Sequence, residues 1–195
     1  MAYAGQILEN PISSERIVFR KTAADTGGRL LAIELFLSPD GSVPGAHVHP
    51  EQEERFEVVK GAMEFRMGFK TVVARVGDVV VVPPGTAHRF TNAGDEPAHA
   101  RVEVRPALRM EQLFETTVAL AEEGRTNRKG LPKPLELALF VREFEREVRA
   151  PFPPPGVVRA VMAPLAWLAA SRGLDERYRH TTPSASVNRV EREAA

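Results

Sequence analysis

Between Arg16 and Arg105 the chain breaks into short runs rich in Val, Phe, Ile and Leu, each interrupted by Gly, Pro, Asn or Asp. Few architectures accept that pattern, because no run offers a helical face and each interruption supplies residues that reverse the backbone. The runs predict strands near Ile17–Lys21, Arg29–Leu37, His47–His49, Arg55–Val59, Ala62–Met67, Thr71–Val76, Val79–Val82, His88–Thr91 and His99–Val104. Turns are expected at Ser38-Pro-Asp-Gly41, Lys60-Gly61, Gly68, Gly77-Asp78, Pro83-Pro-Gly85 and Asn92-Ala-Gly-Asp95. Many short strands so spaced imply a mainly β fold, an antiparallel β-barrel or double sheet.

After Ala107 the period becomes helical. Met110, Leu113, Phe114, Thr117, Val118 and Ala121 share one helical face, with Gly124 as a stop. Leu137, Phe140, Val141, Phe144 and Val148 mark a second helix, begun after Pro134 and ended by Pro151–Pro155, a stretch expected to be an extended linker. A third helical segment spans Val157–Ser171, where Pro164 either kinks the helix or starts a new one. The expected organisation is a β domain over 15–106, a helical extension over 107–182 and a flexible tail over 183–195.

Composition removes several function classes. The 26 basic and 26 acidic residues cancel, which argues against nucleic acid or an anionic membrane as the main partner. Cysteine is absent, so thiol nucleophiles, disulfides and zinc–thiolate sites are excluded, and any metal must take N and O ligands. The apolar stretch Val157–Ala170 contains Arg159 and Pro164 and falls short of the roughly 20 residues of a spanning helix. The start, MAYAGQILENP, lacks the basic and apolar regions of a signal peptide, so a cytoplasmic protein is expected.

His47 and His49 stand two apart in an extended segment, so both imidazoles leave one face with Cα atoms roughly 6.6 Å apart. With metal–nitrogen bonds of roughly 2.0–2.1 Å, two such rings can converge on one ion. Glu54 opens the next strand on the face of Phe56 and Val58, where a carboxylate is costly without a cationic partner. An isolated His-x-His is more often exposed or merely hydrogen-bonded. The second segment changes that reading: after the Pro83-Pro84-Gly85 reversal, His88 enters a strand with Phe90 on its own face and could bring a third imidazole.

Both segments resemble the two motifs of the cupin superfamily. The first runs Gly41, five residues, His47-x-His49, four residues, Glu54, six residues, Gly61; the second runs Gly77, five residues, Pro83-x-Gly85, two residues, His88, three residues, Asn92. Fifteen residues separate Gly61 from Gly77, the short spacing of compact single-barrel cupins. The resemblance covers about 15–106 and implies a cupin-type jelly roll followed by a C-terminal α-helical extension. It also implies that His47, His49, Glu54 and His88 hold one divalent transition-metal ion (Fe, Mn, Ni, Cu or Zn), with positions left for water, dioxygen or substrate. Glu54 could act as a base as well as a ligand.

Phe56, Met63, Phe65, Met67 and Phe90 could line the pocket, although ordinary core is an equal reading. Glu51 and Glu53 are expected to be solvated, Glu57 exterior, and His99 and His180 without a functional role. The leading expectation is a dioxygenase or other oxidoreductase acting on a small anionic or enolisable substrate. The alternatives are a metal-dependent isomerase, decarboxylase or hydrolase, and a non-enzymatic module for sensing or storage. No helix-turn-helix or basic patch accompanies the barrel, which disfavours a transcription factor. The amphipathic helices must bury against the barrel, its mouth or a second copy, and a homodimer is expected; Val157–Trp167 is the alternative membrane-surface or partner-binding element.

Overall fold

A computed structural model describes residues 2–39, 41 and 45–179. The strands are β1 (Ile7–Asn10), β2 (Glu15–Lys21), β3 (Leu31–Leu37), β4 (Glu53–Lys60), β5 (Ala62–Met67), β6 (Lys70–Arg75), β7 (Val79–Val82), β8 (His88–Asn92) and β9 (Ala98–Arg105). The helices are α1 (Ala23–Thr26), α2 (Met110–Glu122), α3 (Pro134–Glu143), α4 (Pro155–Ser171) and α5 (Glu176–Arg179). The fold is therefore mainly antiparallel β with a C-terminal helical extension. The tail over 183–195 and His180 lie outside the described residues.

One sheet runs β1-β2-β3-β9-β4-β7 and the other β6-β5-β8. Alternation decides which side of each strand is buried. Along β3, Leu31, Ile33, Leu35 and Leu37 point inward, and they pair with Val104, Val102, Ala100 and Ala98 of β9, all buried. Phe56 and Val58 of β4 continue the row opposite Val102 and Ala100. The sheets meet through Phe56, Phe65 and Phe90, whose ring centroids lie 5.0, 5.1 and 5.9 Å apart in edge or tilted contact. Gly61 allows the tight β4–β5 turn: its φ is +73°, and a Cβ there would sit 3.0 Å from the Ala98 Cα.

The helices close over one end of this core. α2 buries Met110, Leu113, Val118 and Ala121 of the expected face, leaves Phe114 and Thr117 half-buried, and also buries Glu111 and Leu120; Gln6 Nε2 donates to its Glu115 at 2.9 Å. α3 and α4 pack on each other, burying Ala138, Leu139, Ala166 and Ala169. Among the described residues no helix is long and apolar enough to cross a membrane.

Three local expectations change, and one short helix is new. His47–His49 forms single bridges rather than a strand, because successive residues bond to different neighbours. The second helix ends at Glu143 instead of reaching Val148, since residues 144–149 leave it to reach the loop at Val48. α4 runs through Pro164 without a break, and it begins at Pro155, a first-turn position where no N–H is needed. Thr22 caps the unanticipated α1 through a capping box with Asp25, whose carboxyl is held low by the Thr22 backbone and hydroxyl.

Phe65→Ala should lower stability by about 3–5 kcal/mol, since Phe65 is fully buried between two other rings. The urea midpoint measures this, with an unchanged slope expected.

Candidate metal centre

The loop that carries the first two histidines is fixed by its backbone on both sides. His47 N donates to His88 O, and His88 N to His47 O, both at 2.9 Å. Val48 and Arg149 exchange a second such pair, again at 2.9 Å each, and Gly85 N donates to His49 O at 2.8 Å. An extended chain directs alternate residues' polar groups to opposite sides. His47 is therefore stitched to β8, while Val48 is stitched to the segment after α3.

Glu54 reaches the same centre from β4. Its register partners are Val82 on one side and Val104 on the other, so the carboxylate stands in a row of buried apolar side chains. His88, the first residue of β8, places Nε2 2.9 Å from Glu54 Oε2, and His49 Nε2 lies 3.4 Å from the same oxygen. One nitrogen or oxygen from each of His47, His49, Glu54 and His88 falls within 4.8 Å of the others. His49, Glu54 and His88 are buried, and His47 is half-buried.

The ring orientations follow from three backbone carbonyls. Nδ1 of His47 faces Gly45 O at 3.2 Å, Nδ1 of His49 faces Glu147 O at 2.5 Å, and Nδ1 of His88 faces Thr86 O at 3.0 Å. A carbonyl only accepts, so each Nδ1 carries the proton, and each neutral ring keeps its lone pair on Nε2. The Nε2 atoms of His49 and His88 then face a carboxylate that also only accepts. His49 Nε2 is buried with no hydrogen-bond partner. Protons or a cation must resolve that conflict.

The titration behaviour reports the same conflict. Burial is the largest influence on Glu54 and would raise its pKa, but His49 and His88 outweigh it and hold the carboxyl well below its usual range. Burial likewise works against a charged His49, yet the Glu54 carboxylate prevails and raises it. His47 is pushed down to about 4, first by burial and then by His88 and His49. Three imidazoles and one carboxylate, with their protons turned outward, fit a divalent transition-metal ion. The carbonyls would hold the rings in place whether or not an ion is bound.

Two supports had no sequence signal. The Glu147 carbonyl that holds His49 lies 98 positions away and is a backbone atom, which any residue could supply. Buried Gln52 donates through Nε2 to the carbonyls of Pro106 and Ala107, both at 3.0 Å, tying the loop to the end of β9. The other expected positions are accounted for as follows. Phe56, Met63, Phe65 and Phe90 are buried core, while Met67 is partly exposed and pairs in register with His88, on the site's own side. Glu51 is exposed but held by both nitrogen arms of Arg146, at 3.0 and 2.6 Å. Glu57 lies outward beside Arg55 and Arg101. His99 is on the outer face of β9, stacked on Phe36 and paired with Glu34.

Residues 34–104 match the family model described as the cupin domain. Among solved structures, a predicted oxalate decarboxylase from Thermotoga maritima is similar at 20% identity and a TM-score of 0.48, over 54% of this chain and 98% of that one. The cupin domain of Schizosaccharomyces pombe Cnp3 is similar at 12% identity and 0.45, over 52% and 68%. The DMSP lyase DddQ from Ruegeria pomeroyi DSS-3 is similar at 30% identity and 0.37, over 42% of this chain and 40% of that one. No curated protein matches the chain at a significant level.

Two measurements probe the site without any ion. Arg149→Pro removes the N–H that Val48 O accepts and should cost about 1–3 kcal/mol. The protected His49 Nδ1 proton should also disappear from the NMR spectrum; unchanged stability and signal would show that this bridge holds nothing. Folded His47 refuses, down to about pH 4, a proton that its unfolded form accepts near 6.5. Metal-free stability should therefore fall as pH drops through that window, because the unfolded state binds more protons. His47→Asn should remove that part of the slope in urea midpoints taken from pH 7 down to pH 4.

Proposed function

We propose, from the cupin-domain match over residues 34–104, that this chain is a metal-dependent oxidoreductase of the dioxygenase type, acting on a small anionic or enolisable molecule. His47, His49, Glu54 and His88 are its four ligands to one divalent ion. The observation that carries the reading is the buried Glu54 carboxylate facing His49 and His88 Nε2 atoms whose partner protons are committed elsewhere. When bound, such an ion supplies Lewis-acid polarisation and, if redox-active, electron transfer to dioxygen.

The chain's own residues support the rest. One carboxylate against a divalent ion leaves net positive charge, which favours carboxylate, diketonate or catecholate oxygens. His47 is the most exposed of the four and marks the side from which a ligand arrives. Met67 lies on that sheet face, and Phe56, Phe65 and Phe90 form the apolar packing behind it. Among the described residues, the other buried acids have their carboxylates engaged: Glu111 accepts from Ala23 N, Glu136 from Arg125, and Glu147, whose carbonyl holds His49, from Arg109 N. With Glu54 serving as a ligand, no separate acid or base stands ready, which favours oxidation over hydrolysis or isomerisation.

Calorimetric titration of the metal-stripped chain with Mn(II) or Fe(II) should give one ion per chain, and the His47→Ala/His49→Ala double variant should bind none while keeping its circular dichroism. Equal uptake by both proteins would remove the ligand assignment. Oxygen consumption with Fe(II)-, Mn(II)- or Cu(II)-loaded protein against diketones, flavonols and catechols tests the reaction. Metal binding without turnover under every combination would favour the non-enzymatic module.

A further inference from the structure

A cavity that none of the four metal-centre residues lines lies between α3, α4 and the segment that joins them. It has a volume of about 290 Å³. Val141, Val148, Met162 and Ala166 give it an apolar interior, and a dry apolar cavity accepts carbon rather than a hydrated ion. Its wall is nevertheless cationic. Arg142, Arg149 and Arg159 all line it, against the single carboxylate of Glu145.

That carboxylate is already shared. Glu145 Oε1 lies 3.6 Å from Arg149 Nη2 and 3.2 Å from Arg159 Nε. Arg142 has no ion pair or hydrogen bond among the described residues and is exposed on α3. The N-terminus of α4 adds to the imbalance: Pro155 lines the cavity, Pro154 provides no side-chain cap, and the first turn holds no acidic residue. The positive end of a 17-residue helix thus borders the same space without compensation. Three arginines and a helix terminus against one carboxylate, around an apolar hole, suit an anion attached to hydrocarbon.

We propose that this cavity is a ligand site, separate from the metal centre, for a monoanionic amphiphile: a carboxylate head on a short aliphatic chain. The chain fills the space between α3 and α4, and the head pairs with Arg142 and the other two arginines. Guanidinium is suited to this because its planar fork meets a carboxylate with two parallel hydrogen bonds. The site does not depend on the reading of the four metal ligands, and it can fail or stand without them.

Calorimetric titration of the full chain with octanoate, acetate and octyltrimethylammonium tests it. Octanoate should bind, acetate should be at least about tenfold weaker for want of apolar burial, and the cation should not compete. Arg142→Glu, on an exposed surface where folding is not at risk, should weaken octanoate about tenfold or more by losing a charge-assisted bond. Met162→Trp should block binding by filling the interior, with circular dichroism as the check on folding. Octanoate binding should be the same with and without EDTA. Binding that EDTA abolishes, that the ammonium amphiphile matches, or that Arg142→Glu leaves unchanged would overturn the proposal.

Discussion

A carboxylate buried between valines is the constraint around which the site is arranged. Glu54 cannot move outward without shifting the register that also buries Phe56 and Val58. A lone buried carboxylate costs several kcal/mol, so positive charge must be supplied locally. In the metal-free protein the Glu54 carboxylate favours a proton on His49 and the two histidines favour the carboxylate, so the pKa of His49 rises while that of Glu54 falls. A proton on His49 Nε2 and a metal ion would be competing solutions to one electrostatic problem. Metal binding at such a centre would release any such proton and strengthen as pH rises.

The helical extension belongs to this arrangement. Val48 sits between His47 and His49, and among the described residues its backbone partner is Arg149. The Glu147 carbonyl, in the same segment, holds the His49 ring. Glu51 and Arg146 add a paired contact nearby, which is exposed and so contributes little energy by itself. The early end of α3 follows from the same requirement: a helix continued to Val148 would have its backbone groups committed internally and could not exchange hydrogen bonds with the loop. Residues after 143 give up one turn of helix so that the loop has a second side.

The fold and the four convergent residues could be read from the sequence because side-chain identity carried them. Period-two burial in β3 and β9 follows from Leu31, Ile33, Leu35 and Leu37 and from Ala98, Ala100, Val102 and Val104. His47, His49, Glu54 and His88 come together because their spacing places them on inward faces and next to turns. What was hidden rests on backbone atoms. Nothing in the letters at 147 or 149 marks a carbonyl or amide as the partner of a loop 98 or so positions away. β1 carries no sequence signal for a related reason: Ile7–Asn10 exposes Ile7 and Glu9 and is extended because the edge of β2 offers it a ladder.

The four donors are unequal, and the inequality gives the centre a direction. His49 and His88 are buried and have carbonyls behind them; Glu54 is fixed by two neighbouring strands. His47 is half-buried, and its Nδ1 rests on Gly45, two residues away in its own loop. His47 is nonetheless fixed by its own backbone through the paired bonds to His88, and its neighbour Val48 through the pair with Arg149, so both edges of the loop would have to open before its backbone could move.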